Sequence, residues 1–225
     1  DGLIHVMLTQ LASPGAPVIY GSVATSVNMQ DMGYLGGPVE SGMINAATAQ
    51  LARYYGFPYY STAGISDSKT LDAQCGYESC MNNVLVGMAG GDFIHDAAGL
   101  MEFAMTVSNE KLVIDNEIIG MAKRAVSGIE VNDKTLAFDA IKAAGPGGNF
   151  VAARHTRRYL NKEHYRPELS NREKRDVWRK EGGLRVDQRA HSVVREILSD
   201  TPVSYIDETL SAEIHRKFPE VRRKL

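Results

Sequence analysis

The sequence predicts an α/β protein, the carboxyl-terminal part of a parallel βα barrel followed by a helical extension. Two observations predict it. A strand, a loop and a helix follow one another three times at spacings of about 35 residues, the pattern of βα units on a parallel sheet. From Val131 onward that pattern gives way to charged, amphipathic helical segments.

In order along the chain, Leu3, Ile4, Met7, Leu8 and Leu11 fall at helical spacing, and Ser13-Pro14-Gly15 stops that helix. Val18 to Ala24 reads as a buried strand after the turn. A long loop follows with Gly33, Gly36, Gly37 and Pro38. Pro38 suits a first helical turn, and that helix runs to about Tyr55, where Gly56 and Pro58 end it. The second unit has a strand at Tyr59 to Thr62, a small polar loop from Ala63 to Asp72, and a helix from about Ala73 to Met88 before Gly90-Gly91. The third has Phe93 to His95 as strand, a loop to Ser108, and a helix from about Asn109 to Ser127. Ser108 can cap that helix, and Glu110 suits its amino terminus. Residues 1–130 therefore form βα units and 131–225 the extension. The extension has helices near Leu136–Ile141, Arg154–Tyr165, Trp178, Val186–Leu198 and Asp207–Phe218.

Ligands of parallel sheets bind at the carboxyl ends of the strands. Three strands cannot close a barrel of eight, so the remainder is expected from upstream sequence. A chain that starts at Asp1, already inside an apolar pattern, reads as a fragment. An open Rossmann-like sheet is the rival architecture, but no GxGxxG follows any strand.

The 225 residues carry a net charge of -2, distributed unevenly. Residues 1–108 hold two basic side chains, Arg53 and Lys69, against nine acidic ones; the rest hold 23 basic and 18 acidic. An acidic, glycine-rich body thus precedes a basic helical region. Neither nucleic acid nor membrane is expected as a partner, and no run approaches the roughly 18 apolar residues of a membrane span. Cys75 and Cys80 lack the CxxC spacing and read as reduced thiols of a cytoplasmic protein.

The loop after the second strand, Gly64-Ile65-Ser66-Asp67-Ser68-Lys69-Thr70-Leu71-Asp72, concentrates ionisable groups beside a glycine. It is a candidate site or a solvated loop. Asp72 is a ligand-binding residue or the cap of the next helix, and Asp67 and Lys69 are site residues or partners of each other. Gln74, Tyr77 and Glu78 lie within about one helical turn and could face one pocket. The third strand ends at His95-Asp96-Ala97-Ala98-Gly99, with Glu102 after it. No metal signature is present, since the six histidines show no HxH or HxxxH spacing. No GxSxG elbow or phosphate loop appears either. The basic run Arg154–Arg158 reads as a solvated helical face.

Several segments carry a resemblance. They are Ser13-Pro14-Gly15-Ala16-Pro17-Val18-Ile19-Tyr20-Gly21, Gln50-Leu51-Ala52-Arg53-Tyr54-Tyr55-Gly56, and Asp72-Ala73-Gln74 with Tyr77-Glu78. His95 with Ala97-Ala98-Gly99, Glu110-Lys111-Leu112-Val113-Ile114-Asp115 and Gly145-Pro146-Gly147-Gly148-Asn149-Phe150 complete the set. In this order they resemble the carboxyl-terminal part of the trimethylamine:corrinoid methyltransferase family. The resemblance implies a TIM-barrel enzyme, a homo-oligomer, that moves a methyl group from a small methylated amine to the Co(I) of a corrinoid carried by a partner protein. Some members carry pyrrolysine in the loop that here reads Gly64 to Lys69. This sequence has none, and Ile65 stands near that position. That departure favours a quaternary amine, as in the glycine-betaine branch. On this resemblance His95, Glu102 and Asp67 are the expected catalytic residues. Tyr20, Ser22, Gly64, Ile65, Lys69, Asp72, Gln74 and Tyr77 are the expected substrate-binding residues. The competing expectation is a non-catalytic fragment that binds an amine or a partner. An unrelated barrel aldolase is disfavoured, because no Schiff-base lysine stands out.

Overall fold

The computed structural model describes residues 2–200 and 205–219. Asp1 and the stretches 201–204 and 220–225 of the predicted extension lie outside the described residues.

Helix α1 (Gly2–Ala12) ends where Gln10 clasps the following turn, donating from Nε2 to Ala16 O and accepting from Gly15 N–H, both at 2.8 Å. None of its residues is buried. Strand β1 (Tyr20–Gly21) is shorter than the predicted run from 18 to 24. Its pairing ends once Ser22 N–H donates to Tyr60 O, because the chain then turns away into an antiparallel hairpin, β2 (Ser26–Val27) with β3 (Tyr34–Leu35). The side chains of Asn28 and Asp31 build that turn by accepting from the amides two residues on. Helix α2 (Val39–Tyr55) starts after Pro38 and ends at Gly56 in the left-handed region.

Strand β4 (Tyr59–Thr62) leads through a loop to α3 (Ala73–Ala89), which ends at Gly90. Strand β5 (Phe93–His95) is followed by a second hairpin unseen in the sequence, β6 (Leu100–Met101) with β7 (Thr106–Val107). Helix α4 (Asn109–Val126) is capped by Ser108, whose Oγ accepts from Lys111 N–H, as predicted. The extension contains α5 (Phe138–Ala144), α6 (Arg154–Glu163), α7 (Arg175–Lys180), α8 (Val186–Ser199) and α9 (Glu208–Lys217).

The main sheet has the order β1-β4-β5, all parallel, with Tyr20 opposite Tyr59 and Thr62 opposite His95. It is small and open: among the described residues no closed barrel forms, because three strands leave β1 and β5 as edges. Alternate residues of β4 face opposite ways. Tyr59 packs with Ala49 and Ala52 of α2, and Ser61 Oγ donates to Asn45 Oδ1 of the same helix. Tyr60 lies on the other side, stacked between Phe93 and His95.

Among the described residues, as many polar or charged side chains are buried as apolar ones. Each must find a hydrogen-bond partner, since an unpaired buried polar group costs about 1–3 kcal/mol. Helix α8 packs on α4 through buried Ala190 and Val194. Glu117 of α4 ties the segment before α8 down, accepting from the amides of Glu168, Leu169 and Ser170 and from Ser170 Oγ. No described helix is long and apolar enough to cross a membrane.

Candidate functional site

Parallel strands send their loops to one end of the sheet, so the segments after Gly21, Thr62 and His95 share one edge. The central loop is not solvated. Every residue from Ala63 to Ser68 is buried, because neighbouring loops supply its backbone partners. Ala63 N–H donates to His95 O, Ser66 N–H to Leu100 O, and Glu102 N–H to Ser68 O. On its other flank, Gly36 N–H donates to Asp67 Oδ1 at 3.0 Å.

Asp67 therefore sits where all three loops meet. Burial pushes its carboxyl above the ordinary value, and the amides of Gly36 and Gly37 pull it back only in part. Glu78 reaches the same loop from α3: its Oε2 accepts from Ser66 Oγ at 2.7 Å and from Asp67 N–H at 2.8 Å. Gln74 holds the other oxygen of Glu78 at 2.9 Å, so Gln74 and Glu78 share a face as their spacing suggests. Tyr77 does not join them and is exposed.

His95 closes the end of β5. Its Nδ1 lies 2.6 Å from Ser61 O and must carry the hydrogen, since a carbonyl only accepts. Nε2 lies 2.9 Å from the Asp96 carboxylate. The ring stacks on Tyr60 with centroids 4.6 Å apart, and Tyr60 stacks on Phe93 at 5.3 Å. Tyr34 of β3 lies within electrostatic reach of Asp96 and Asp67. Burial raises its phenol pKa, and the charges of Asp96 and Asp67 raise it further. The result is a run of aromatic faces flanked by carboxylates.

The loop is anchored from below. Lys111, fully buried on α4, donates to Gly64 O at 2.8 Å and pairs with Asp115 one turn on. Asp115 also accepts from Ser79 Oγ at 2.6 Å and Gly99 N–H at 2.8 Å. One buried ion pair thus binds α3, α4 and the loops after β4 and β5. Gly64 takes a φ of +78°, and a Cβ there would lie 2.2 Å from Ala97 O. We expect Gly64→Ala to lower stability by more than about 2 kcal/mol, combining left-handed strain with a backbone clash. A urea midpoint unchanged from wild type would refute this.

Other expected residues take structural places. Tyr20 lies on the helix side of the sheet, packed on Phe57 and Tyr59, because β1 pairs it with Tyr59. Ser22 bonds through its backbone to Tyr60 O. Ile65 is buried beneath Gly36. Asp72 is the helix cap: it accepts from Cys75 N–H, which lowers its pKa, and from Ser68 and Thr70 hydroxyls. Lys69 does not pair with the Asp67 carboxylate. It donates to Asp67 O and lies 4.1 Å from the centre of the Phe103 ring. Glu102 stands at the same end, with its carboxylate accepting from Thr106 Oγ1 at 2.8 Å. Glu102, Phe103 and Ala104 all have positive φ, an uncommon run for side-chain-bearing residues. Among the described residues no cluster of three metal-binding side chains occurs.

The sequence reading missed Tyr34, Tyr60 and the Lys111–Asp115 pair. Tyr60 alternates with Tyr59 on a strand, which places one of the two opposite the helices. Lys111 and Asp115 stand four apart on a helix, a spacing that signals a pair but not its burial. Tyr34 carried no signal, because the hairpin that presents it was unrecognised.

A family model described as trimethylamine methyltransferase (MTTB) matches residues 1–224. The chain is 40% identical over 215 residues to the glycine betaine methyltransferase of Desulfitobacterium hafniense (strain Y51), covering 96% of this chain and 44% of that protein. It is 39% identical over 205 residues to the trimethylamine methyltransferase MttB of Methanosarcina barkeri, covering 91% and 41%. A trimethylamine methyltransferase MttB of Desulfitobacterium hafniense (strain DSM 10664 / DCB-2) is 37% identical over 209 residues, covering 93% and 42%. The chain spans less than half the length of these relatives.

Proposed function

Because the chain belongs to the trimethylamine methyltransferase family, we propose that the whole protein transfers a methyl group from a methylated amine to the Co(I) of a corrinoid carried by a partner protein. The preferred donor is a quaternary amine such as glycine betaine, with trimethylamine the lesser candidate. The supporting observation is that the Tyr60–Phe93–His95 stack runs along one sheet face to the carboxyl end of β5, where His95 meets Asp96 and where Asp96 and Asp67 both act on Tyr34. Aromatic faces and carboxylates are what a desolvated cationic methyl donor requires, at about 0.5–2 kcal/mol per ring.

The corrinoid, when docked, supplies the nucleophile. This chain's residues then have to bind the cation, orient its methyl group and exclude water. His95 offers the outer face of the stack, backed by Tyr60, and Asp96 and Asp67 offset the positive charge. His95 is held by Ser61 O at Nδ1 and by the Tyr60 ring on one face, which fixes its orientation. Exposed Lys69 supplies a cation for the carboxylate of a betaine. Ile65 carries no group that could protonate or capture a tertiary amine, which suits a donor whose nitrogen is already a good leaving group. The edges of β1 and β5 are where further strands of the whole protein would complete an eight-stranded barrel. The free Cys75 and Cys80 fit a cytoplasmic setting.

The test incubates the full-length protein with Co(I) cobalamin and a panel of methylated amines, following methylcobalamin by absorbance. Glycine betaine is expected to react fastest. His95→Ala is expected to slow transfer about a hundredfold, and Glu102→Gln to slow it less. A panel in which no amine reacts, although calorimetry shows one binding, would leave the non-catalytic binding module as the correct reading. Unchanged kinetics in both variants would remove the site assignment.

A further inference from the structure

Gln74, Glu78 and Asn82 follow one another at four-residue steps on α3, so they share one face of the helix. That face holds the two segments that enclose Asp67. Glu78 Oε2 accepts from Ser66 Oγ at 2.7 Å and from the Asp67 amide at 2.8 Å, and its Oε1 accepts from Gln74 Nε2 at 2.9 Å. Three donors thus converge on its two oxygens, the arrangement of an acceptor-only carboxylate. One turn further on, Asn82 Nδ2 donates to Gly37 O at 2.9 Å and to Gly36 O at 3.4 Å.

Asp67 is therefore gripped twice from the same helix. Its amide is held by Glu78 directly. Its carboxylate accepts from Gly36 N–H at 3.0 Å, in the turn that Asn82 fixes. The two grips meet without slack. A Cβ on Gly37 would lie 2.4 Å from Glu78 Oε2 and 3.0 Å from the Asp67 amide nitrogen, so the turn rests on the junction between them.

We propose that Glu78 is a positioning residue, which fixes the Asp67 carboxyl for a cationic methyl donor by holding the Asp67 amide and the Ser66 hydroxyl from α3. This deepens the proposed reaction and rests on the reading that Asp67 offsets the charge of the amine. Glu78 acts through Asp67 in two ways, by geometry and by charge. Burial is the main reason the Asp67 carboxyl lies above its ordinary value; the Gly36 and Gly37 amides lower it, the Glu78 charge raises it and Lys69 lowers it. Tyr34 of β3 is a further titratable group within reach. Substitution separates the two effects. Glutamine keeps the shape and loses the charge: its Oε1 takes both loop donors, and its Nε2 faces Gln74 once that amide turns over. Alanine removes both.

The experiment uses the full-length protein, with methyl transfer from glycine betaine to Co(I) cobalamin measured against pH in wild type, Glu78→Gln and Glu78→Ala. Beside it runs the carbon-13 titration of the Asp67 carboxyl, assigned by its absence in Asp67→Asn. Glu78→Ala is expected to lower kcat/KM about tenfold or more, since a displaced carboxyl no longer meets the donor. Glu78→Gln should restore most of that loss. In Glu78→Gln the acid limb of the rate profile and the Asp67 titration should both move to lower pH, because removing a neighbouring negative charge eases ionisation. Unchanged transfer in Glu78→Ala, a Gln variant as slow as the Ala variant, or an Asp67 titration unmoved in Glu78→Gln overturns the inference. Should Glu78→Ala fail to fold, the Gln titration still decides. If no amine reacts even in wild type, the reading of the reaction falls, and the titration alone settles whether Glu78 governs Asp67.

Discussion

Lys111→Met is expected to cost about 3–5 kcal/mol of folding free energy, the usual penalty for removing one partner of a buried ion pair. The reason is the charge left behind. Asp115 is 1% exposed, and without Lys111 it would keep only the Ser79 hydroxyl and the Gly99 amide. Gly64 O would lose its donor as well. A domain is stable by only about 5–15 kcal/mol, so this single change takes a large share of the total. The double variant Lys111→Met/Asp115→Leu should recover part of the loss, because two apolar groups of similar volume leave no buried charge. Recovery should stop short of wild type, since Ser79 and Gly99 would then lack their acceptor. Urea unfolding with an unchanged m value reads both effects. A loss under about 1 kcal/mol in the single variant would show that the pair is solvated in solution.

Glu117→Gln is expected to destabilise by about 2–4 kcal/mol, drawn from three backbone amides and one hydroxyl that now bond a charged group. It should also change the acid limb of the stability profile. Burial pushes the Glu117 carboxyl up, but hydrogen bonds from Ser170, Leu169 and Glu168 outweigh it and hold the pKa below the ordinary carboxylate value. A carboxylate with a lowered folded pKa contributes stability above its unfolded pKa, near 4.3, and loses it as pH falls through the folded value. Wild type should therefore lose this contribution below about pH 4, whereas the Gln variant should lack that step. Parallel stability curves for the two proteins between neutral and acid pH would contradict the assignment. The effect would appear first in the segment around Leu169, which Glu117 pins to α4.

The parts of the fold that periodicity controls were legible. Helices α2, α3 and α4 fall where glycine, proline and serine punctuate apolar repeats, and β4 and β5 occur where short strands were expected. The two hairpins were not legible. Strands of two residues carry no alternation to detect, and Leu100–Met101 reads as a loop beside Gly99. Those hairpins decide between the two readings of the loop after β4. A loop rich in Ser and Asp looks wet, but Ala63 to Ser68 is dry because β6 and the Gly36 turn supply the partners that water would otherwise provide. Polar composition signals solvent only when no neighbouring backbone competes for the same bonds. Asp72 shows the reverse case, where the local motif decided the role: an Asp just before a helix is a cap first. Asp67 and His95 lie after β4 and at the end of β5 as expected, whereas Tyr20, expected to bind substrate, packs against Tyr59 because β1 pairs the two, a register the sequence does not show.

The outer margins of β1 and β5 have a consequence for how this polypeptide tells neighbours apart. Paired segments of two and three residues offer too few ladder bonds to capture a stray strand diffusing past. A strand delivered at high effective concentration, by linkage to the same chain, gains the same bonds with little further entropic loss. Brevity at these margins therefore acts as a filter that rewards tethering and discourages chance aggregation.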